Sequence, residues 1–249
     1  MLSRLRLEYD GRGFAGWASQ PGRRTVQDEV ERALAVVLRV PGIAVTVAGR
    51  TDAGVHAWGQ VASYVGPPAR VESLNALLPD DVAVLSCAAV DDGFDARRSA
   101  TSRAYCYRVL ARRGREALER GRVLHWPFGV DSAALDACAA ALVGTHDFTA
   151  FTPSESYHVR FEREVYAAFW RRDASGDVLS FWIEADAFMR GMNRVLVGTM
   201  LQVAGGRRSV EEFVGLLGGR PRAAAGPTAP AHGLHLVGVG YGGERVLRP

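Results

Sequence analysis

Residues 44–65 read AVTVAGRTDAGVHAWGQVASYV, two apolar runs joined by Gly49-Arg50-Thr51-Asp52-Ala53-Gly54-Val55-His56. Residues 44–48 and 57–65 are short, rich in Val and bounded by glycine, the pattern of two strands. The joining segment carries Arg50 and Asp52 between glycines, which permit unusual backbone angles and close approach of another segment. Upstream, Leu5, Leu7 and Tyr9 alternate with Arg4, Arg6 and Glu8, a strand with one buried face. A Gly-rich loop, 10–24, follows. Thr25 then opens a helix, with Asp28 three residues on as an approximate capping box. Val26, Val30, Ala33, Leu34, Val37 and Leu38 recur at helical spacing until Pro41-Gly42. Downstream, Pro67-Pro68 ends the strand pair, 71–78 is a short helix stopped by Pro79, and 82–90 is a further strand. The order is βαββαβ, a ferredoxin-like unit.

The second half repeats that order more loosely, without a convincing repeat of residues. Residues 104–111 read as a strand, and 133–143 as a helix capped by Asp131 or Ser132 and closed by Gly144. Residues 161–172 and 178–187 form a hairpin around 173–177. A helix follows, with Met192, Val195, Leu196, Thr199, Met200 and Val203 on one face, ending at Gly205-Gly206. Ser209 and Glu212 make a capping box for another short helix, and 234–241 is a last strand. The expected fold is α+β: two ferredoxin-like halves, 1–103 and 104–249, forming a mixed central sheet with a cleft between them.

Composition narrows the chemistry. All 30 cations are Arg and none is Lys, against 27 acids, for a net charge of +3. Schiff-base chemistry on Lys is excluded, and without a Walker A or kinase Lys ordinary ATP-driven phosphoryl transfer is disfavoured. Between residues 97 and 122 nine arginines face two acids, Glu116 and Glu119, a surplus suited to forked contacts with phosphate. Cys87, Cys106 and Cys138 are too widely spaced for a disulfide framework or a zinc site. The N-terminus has no signal-like apolar stretch, and no run reaches the roughly 20 residues of a membrane helix. A cytoplasmic enzyme without metal or nucleotide cofactor is expected.

Three motifs are decoys. Gly11-Arg12-Gly13-Phe14-Ala15-Gly16 matches a dinucleotide fingerprint, but the helix that should begin there starts only near Thr25. Arg12-Gly13-Phe14-Ala15 opens an RNA-binding box that Gly16-Trp17 breaks. His146-Asp147, and His232 with His235, fall short of a metal ligand set; they read as a capped turn and as structural residues.

The segment 49–56 is where chemistry concentrates. Alone, Asp52 fits a structural Asx-turn. The rest of the chain raises the functional reading. Arg190 and Arg194 are four apart and share a face in the first turn of a helix, where cations oppose the helix dipole and call for an anionic neighbour such as a carboxylate.

These residues resemble the tRNA pseudouridine synthase A family along nearly the whole chain. The motifs are Tyr9-Asp10-Gly11 with Phe14 and Gly16-Trp17; Thr25-Val26-Gln27; the run Gly49 to His56; Leu74-Asn75-Ala76-Leu77-Leu78-Pro79 with Asp81; Phe94-Asp95-Ala96-Arg97; and Arg103, Tyr105 and Tyr107. Further on come Gly144 with His146-Asp147-Phe148, the stretch from Phe188 to Arg194 with Gly198-Thr199, and Gly226-Pro227-Thr228-Ala229-Pro230-Ala231. The resemblance implies the pseudouridine synthase fold, a homodimer that grips tRNA, and uridines 38 to 40 of the anticodon stem-loop as targets. It implies Asp52 as the nucleophilic aspartate and Tyr105 as the tyrosine that stacks on the base and is a candidate for proton transfer at C5. Arg194 matches the arginine paired with the carboxylate, and Arg50 the one that holds the nucleotide out of its stack. Arg97, Arg103 and Arg190 are expected RNA contacts. The chain departs from the family pattern at Asp95 (usually His), Gly191 (His or Asn), Asn193 (aliphatic), Val195 (Asn) and Ala18 (Gln). These departures bear on secondary RNA contacts rather than on Asp52.

The implied chemistry suits these residue types. Uridine must lose its N1–C1′ bond, turn over and rejoin through C5, with no redox change and no cofactor. The carboxylate either attacks C1′ or removes the 2′ proton to give a glycal. Burial raises a carboxylate pKa and a paired Arg lowers it, the physical case for an Asp52–Arg194 pair. Unstacking the base costs a few kcal/mol, and stacking on an aromatic returns roughly 1–3 kcal/mol. Two rivals are a non-catalytic RNA-binding protein on the same fold and a dinucleotide-dependent oxidoreductase built on residues 11–16.

Overall fold

The computed structural model describes residues 1–155 and 159–248. The chain packs as two units, one of residues 1–101 and 235–246 and the other of 102–234 and 247–249.

In the first unit β1 (Leu2–Tyr9) alternates as read, with Leu5, Leu7 and Tyr9 buried and Arg4, Arg6 and Glu8 exposed. It pairs antiparallel with both β3 (His56–Val65) and β4 (Val82–Val90). α1 (Val26–Leu38) begins where the Thr25 side chain accepts the Asp28 N–H, and it buries Val26, Val30, Ala33 and Leu34. It stops at Arg39, which turns left-handed at φ 56° ahead of Pro41. The expected strand at 44–48 contracts to β2 (Thr46–Val47), paired with Ala62 and Ser63 of β3. α2 (Val71–Asn75) is shorter than the expected 71–78. The Asn75 side chain accepts from the Val84 N–H at 2.8 Å and donates to the Val84 carbonyl at 3.0 Å, fastening the helix end to β4.

The second unit contains nearly all of β5 (Ala100–Leu110), which runs parallel to the short β6 (Leu124–His125) and antiparallel to β9 (Val178–Ala185). β9 forms the expected hairpin with β8 (Glu162–Arg172), and β8 pairs in turn with β7 (Gly144–Asp147). α3 (Ser132–Ala141) is capped by Asp131, whose carboxylate accepts the Ala134 N–H. α4 (Met192–Ala204) is buried almost all round, and α5 (Val210–Val214) starts with the Ser209/Glu212 capping box.

Neither unit is a single continuous stretch of chain. The last strand, β10 (Leu234–Tyr241), runs parallel to β3, with His235 opposite His56 and Leu236 opposite Ala57. β3 has one edge left after pairing with β1; β2 takes its far end and β10 its start. Residues 235–246 therefore belong to the first unit. The chain rejoins the second at Leu247, whose N–H bonds the buried Glu184 carboxylate at 2.7 Å. The fold class is α+β, with parallel and antiparallel pairings in both units.

Candidate active site

The loop between β2 and β3 is held along its backbone. Tyr9 and Thr51 share a hydroxyl hydrogen bond of 2.8 Å, and the buried Gln60 amide donates to the Gly49 carbonyl at 2.8 Å and to the Tyr9 hydroxyl at 3.2 Å. The Trp17 N–H bonds the Thr51 carbonyl at 3.0 Å. The Val55 N–H bonds the Asp52 carbonyl at 3.1 Å, closing a turn whose third residue, Gly54, has φ +78°. That conformation favours glycine. Thr51 and Val55 are buried on either side, while Asp52 is half-buried at the tip and Arg50 is exposed.

The Gly-rich run 11–16 lies against this loop. A Cβ on Gly11 would sit 2.0 Å from the Val55 carbonyl oxygen. One on Gly16, at φ +105°, would sit 2.8 Å from the Thr51 oxygen and 3.2 Å from the Ala53 nitrogen. Two of the three glycines that mimic a dinucleotide fingerprint, Gly11 and Gly16, are therefore the bed of the Asp52 loop. The Gly11 N–H also donates to Nδ1 of the buried His56 at 3.1 Å, with Asp10 Oδ1 3.3 Å from the same nitrogen. The other face of this arrangement is His235, stacked on His56 at 4.6 Å and 16°. Tyr9, Gln60 and His56 thus support the loop, and their signal in the sequence is a polar group at a strand position that faces the core.

The other expected residues of this unit are on its surface. Arg97 is exposed beside Asp95, whose carboxylate accepts the backbone N–H groups of Arg97 and Arg98 at 2.8 and 2.7 Å. Asp95 thus caps the turn that carries Arg97.

In the second unit Tyr105 lies on β5, 9% exposed, edge-on to Phe188 at 5.0 Å and 81°. Arg103, half-buried on the same strand, donates to the Asp186 carbonyl at 3.1 Å. These contacts bring residues 186–188 against β5. Arg194 stands in the first turn of α4 and donates from Nε to the Ala229 carbonyl at 2.7 Å. Arg190 does not share that turn, contrary to the sequence reading. Gly191 takes φ +71° as the N-cap, so the helix begins after it and Arg190 is exposed outside it. A left-handed residue suits Gly or Asn, which accounts for the glycine there.

The basic stretch is partly neutralised. Arg108 pairs with Glu119 and Arg112 with Asp177, each at 2.7 Å. The Arg108 hydrogen bond holds the Glu119 carboxyl below its usual range. Arg98, Arg113 and Arg115 are exposed. At His146-Asp147, the carboxylate caps Thr149, accepting its N–H at 2.8 Å.

Asn193 is 5% exposed, and its Oδ1 has no hydrogen-bond partner among the described residues. An unpaired buried acceptor costs about 1–3 kcal/mol. Asn193→Leu is expected to raise the thermal unfolding midpoint by a few degrees, about 2–4 °C per kcal/mol at this chain length. Calorimetry showing a lower midpoint contradicts this.

A model of the tRNA pseudouridine synthase family matches residues 138–242. Over nearly the whole chain there are closer likenesses. The chain is 40% identical over 247 residues to tRNA pseudouridine synthase A of Bacillus subtilis (strain 168), covering 97% of this chain and 99% of that one. It is 45% identical over 245 residues to tRNA pseudouridine synthase A of Frankia casuarinae, covering 96% and 88%. It is 38% identical over 247 residues to the Bacillus pumilus protein of the same name, covering 97% and 99%.

Proposed function

The chain belongs to the tRNA pseudouridine synthase A family, and from that premise we propose that it converts uridine to pseudouridine in tRNA with Asp52 as the catalytic carboxylate. The observation that carries the residue assignment is the Asp52 loop itself, whose main chain is bonded to Trp17 and Gln60, whose Thr51 hydroxyl is bonded to Tyr9, and which is bedded on Gly11 and Gly16. Preorganisation of this kind keeps a reacting group in a narrow range of geometry.

The reaction is an isomerisation. The N1–C1′ bond breaks, the base turns over, a C5–C1′ bond forms, and the C5 proton is lost as N1 gains one. Asp52 acts at the ribose, Arg194 supplies the cation that keeps a carboxylate ionised in a drying site, and Tyr105 stacks on the base and serves the proton at C5. Arg50 holds the extruded nucleotide. Arg97, Arg103 and Arg190 contact the RNA, and the exposed arginines of the basic stretch add phosphate contacts. The targets are uridines 38 to 40, the working form is a homodimer gripping one tRNA, and the location is the cytoplasm. The free state of Cys87, Cys106 and Cys138 is in keeping with a reducing compartment.

Incubation with an unmodified tRNA carrying uridines at 38 to 40, followed by chemical mapping of pseudouridine, tests this. Pseudouridine is expected at one or more of those positions. Its absence from all of them overturns the site assignment, and its appearance elsewhere in the tRNA corrects the target while keeping the chemistry. Light scattering that gives the mass of a single chain overturns the homodimer.

A further inference from the structure

We propose that Tyr107, acting through the segment 226–231, is a positioning residue that sets the plane of the Arg194 guanidinium. This inference rests on the reading of Arg194 as the cation that serves the catalytic carboxylate.

Arg194 is gripped twice by one residue. Its Nε–H donates to the Ala229 carbonyl at 2.7 Å, and its own carbonyl accepts the Ala229 N–H at 3.0 Å. A guanidinium is planar, so fixing its Nε–H bond fixes the direction of both terminal nitrogens. Where Ala229 sits is therefore where Arg194 points.

The segment that carries Ala229 is tied at both ends. At its start, the Gly226 N–H donates to the Thr199 hydroxyl at 3.0 Å, while that hydroxyl donates to the Val195 carbonyl at 2.7 Å. Between these points the segment lies directly on the backbone of α4: a Cβ on Gly198 would be 1.9 Å from the Pro227 carbonyl oxygen. At its end, the Tyr107 hydroxyl donates to the Pro230 carbonyl at 2.8 Å. The Tyr107 ring is also the floor under the turn that follows, since a Cβ on Gly233 would be 2.6 Å from its Cζ.

Tyr107 is 1% exposed, and burial pushes its phenol well above the ordinary range, with the Arg194 charge working weakly in the opposite sense. The hydroxyl is thus a permanent donor. On β5, Tyr107 stands two residues from Tyr105, so the alternation of the strand places both on one face. One strand then supplies the proposed stacking tyrosine and, through Pro230 and Ala229, the orientation of Arg194.

Tyr107→Phe tests this, because it keeps the ring beneath Gly233 and removes only the hydroxyl. The expected result is a kcat about tenfold lower with KM for tRNA within about twofold, since misplacement of a reacting group by a fraction of an ångström acts on the chemical step. The second readout is the Arg194 Nε–H signal in a nitrogen–proton correlation spectrum. It is expected to be protected from exchange in the parent protein and to be lost or exchange rapidly in Tyr107→Phe. An unchanged kcat, a loss confined to KM, or a protected Nε–H in the variant each overturns the inference. If Tyr107→Phe does not fold, as judged by circular dichroism, Thr199→Val releases the other end of the segment at similar volume. The same kcat loss is expected there, and an unchanged kcat overturns the inference. Arg194→Ala, measured in parallel, separates the two readings. Full activity in that variant removes the role of Arg194 itself, whereas an inactive Arg194→Ala beside a fully active Tyr107→Phe removes only the positioning role.

Discussion

Asp52→Ala abolishes pseudouridine formation and leaves tRNA binding intact: that is the expected result of truncating the carboxylate at the tip of the 49–56 loop. The loop has supports other than this side chain. The bonds that shape it run through the Gly49 and Thr51 carbonyls, the Thr51 hydroxyl and the Val55 N–H, and the glycine bed meets its main chain. Truncation at Cβ removes the reacting group and leaves those bonds in place. Loss of a nucleophile or its base in other enzymes lowers turnover by roughly four to six orders of magnitude. A fall of at least about ten-thousandfold is expected here, measured as single-turnover pseudouridine formation. Binding, by contrast, draws on arginine contacts with phosphate, and removing one negative charge does not weaken them. Asp52→Asn, which keeps the shape and removes the charge, is expected to be as inactive. Full activity in either variant overturns the assignment. A binding protein without catalysis would differ at the outset, with no pseudouridine made by the parent chain.

The second large effect is expected at Gly11. An alanine there places its Cβ 2.0 Å from the Val55 oxygen and 2.5 Å from the Val55 carbon, both backbone atoms, so no flexible side chain can yield. The two segments involved are also tied by the Gly11 N–H to His56 Nδ1 bond, which limits how far they can part. The cost of such overpacking is about 3 kcal/mol, and a loop displaced by about 1 Å lowers kcat roughly a hundredfold. Gly22→Ala is the control. Gly22 has φ +70° but nothing within 4 Å of its Cβ position, so only backbone strain of about 1 kcal/mol arises and activity is kept. Thermal unfolding and single-turnover rates on the two variants decide the matter, and parent-like values for Gly11→Ala refute the close-packing account. The same experiment bears on the dinucleotide reading of residues 11–16. With the glycines bedding the loop, NADH is expected not to bind, and fluorescence titration of the parent protein detects any affinity.

Much of the architecture is readable from local pattern. The alternation from Leu5 to Tyr9, the Thr25 cap with its buried row from Val26 to Leu34, the Ser209/Glu212 box and the Asp173 turn all depend on residues within a few positions of one another. Period and capping are local physics, so the sequence declares them. The same holds for the 49–56 segment as a turn with two glycines. The boundary at Gly191 was less legible. Arg190 and Arg194 have helical spacing, but a left-handed glycine lies between them and the helix begins after it.

What the sequence by itself determined is most of the elements, though not the short β6 and β7, together with the α+β class, the family and the loop that carries Asp52. Only the tertiary structure decided the partners. β10 closes on β3, some 180 positions earlier in the chain. Gly11 and Gly16 serve Val55 and Thr51 rather than a phosphate, and Ala229 sets the course of Arg194. Each of these is a contact between segments far apart in the chain. Propensity and periodicity act over one or two turns, whereas close approach is settled by which free edges and faces remain once the local elements have packed.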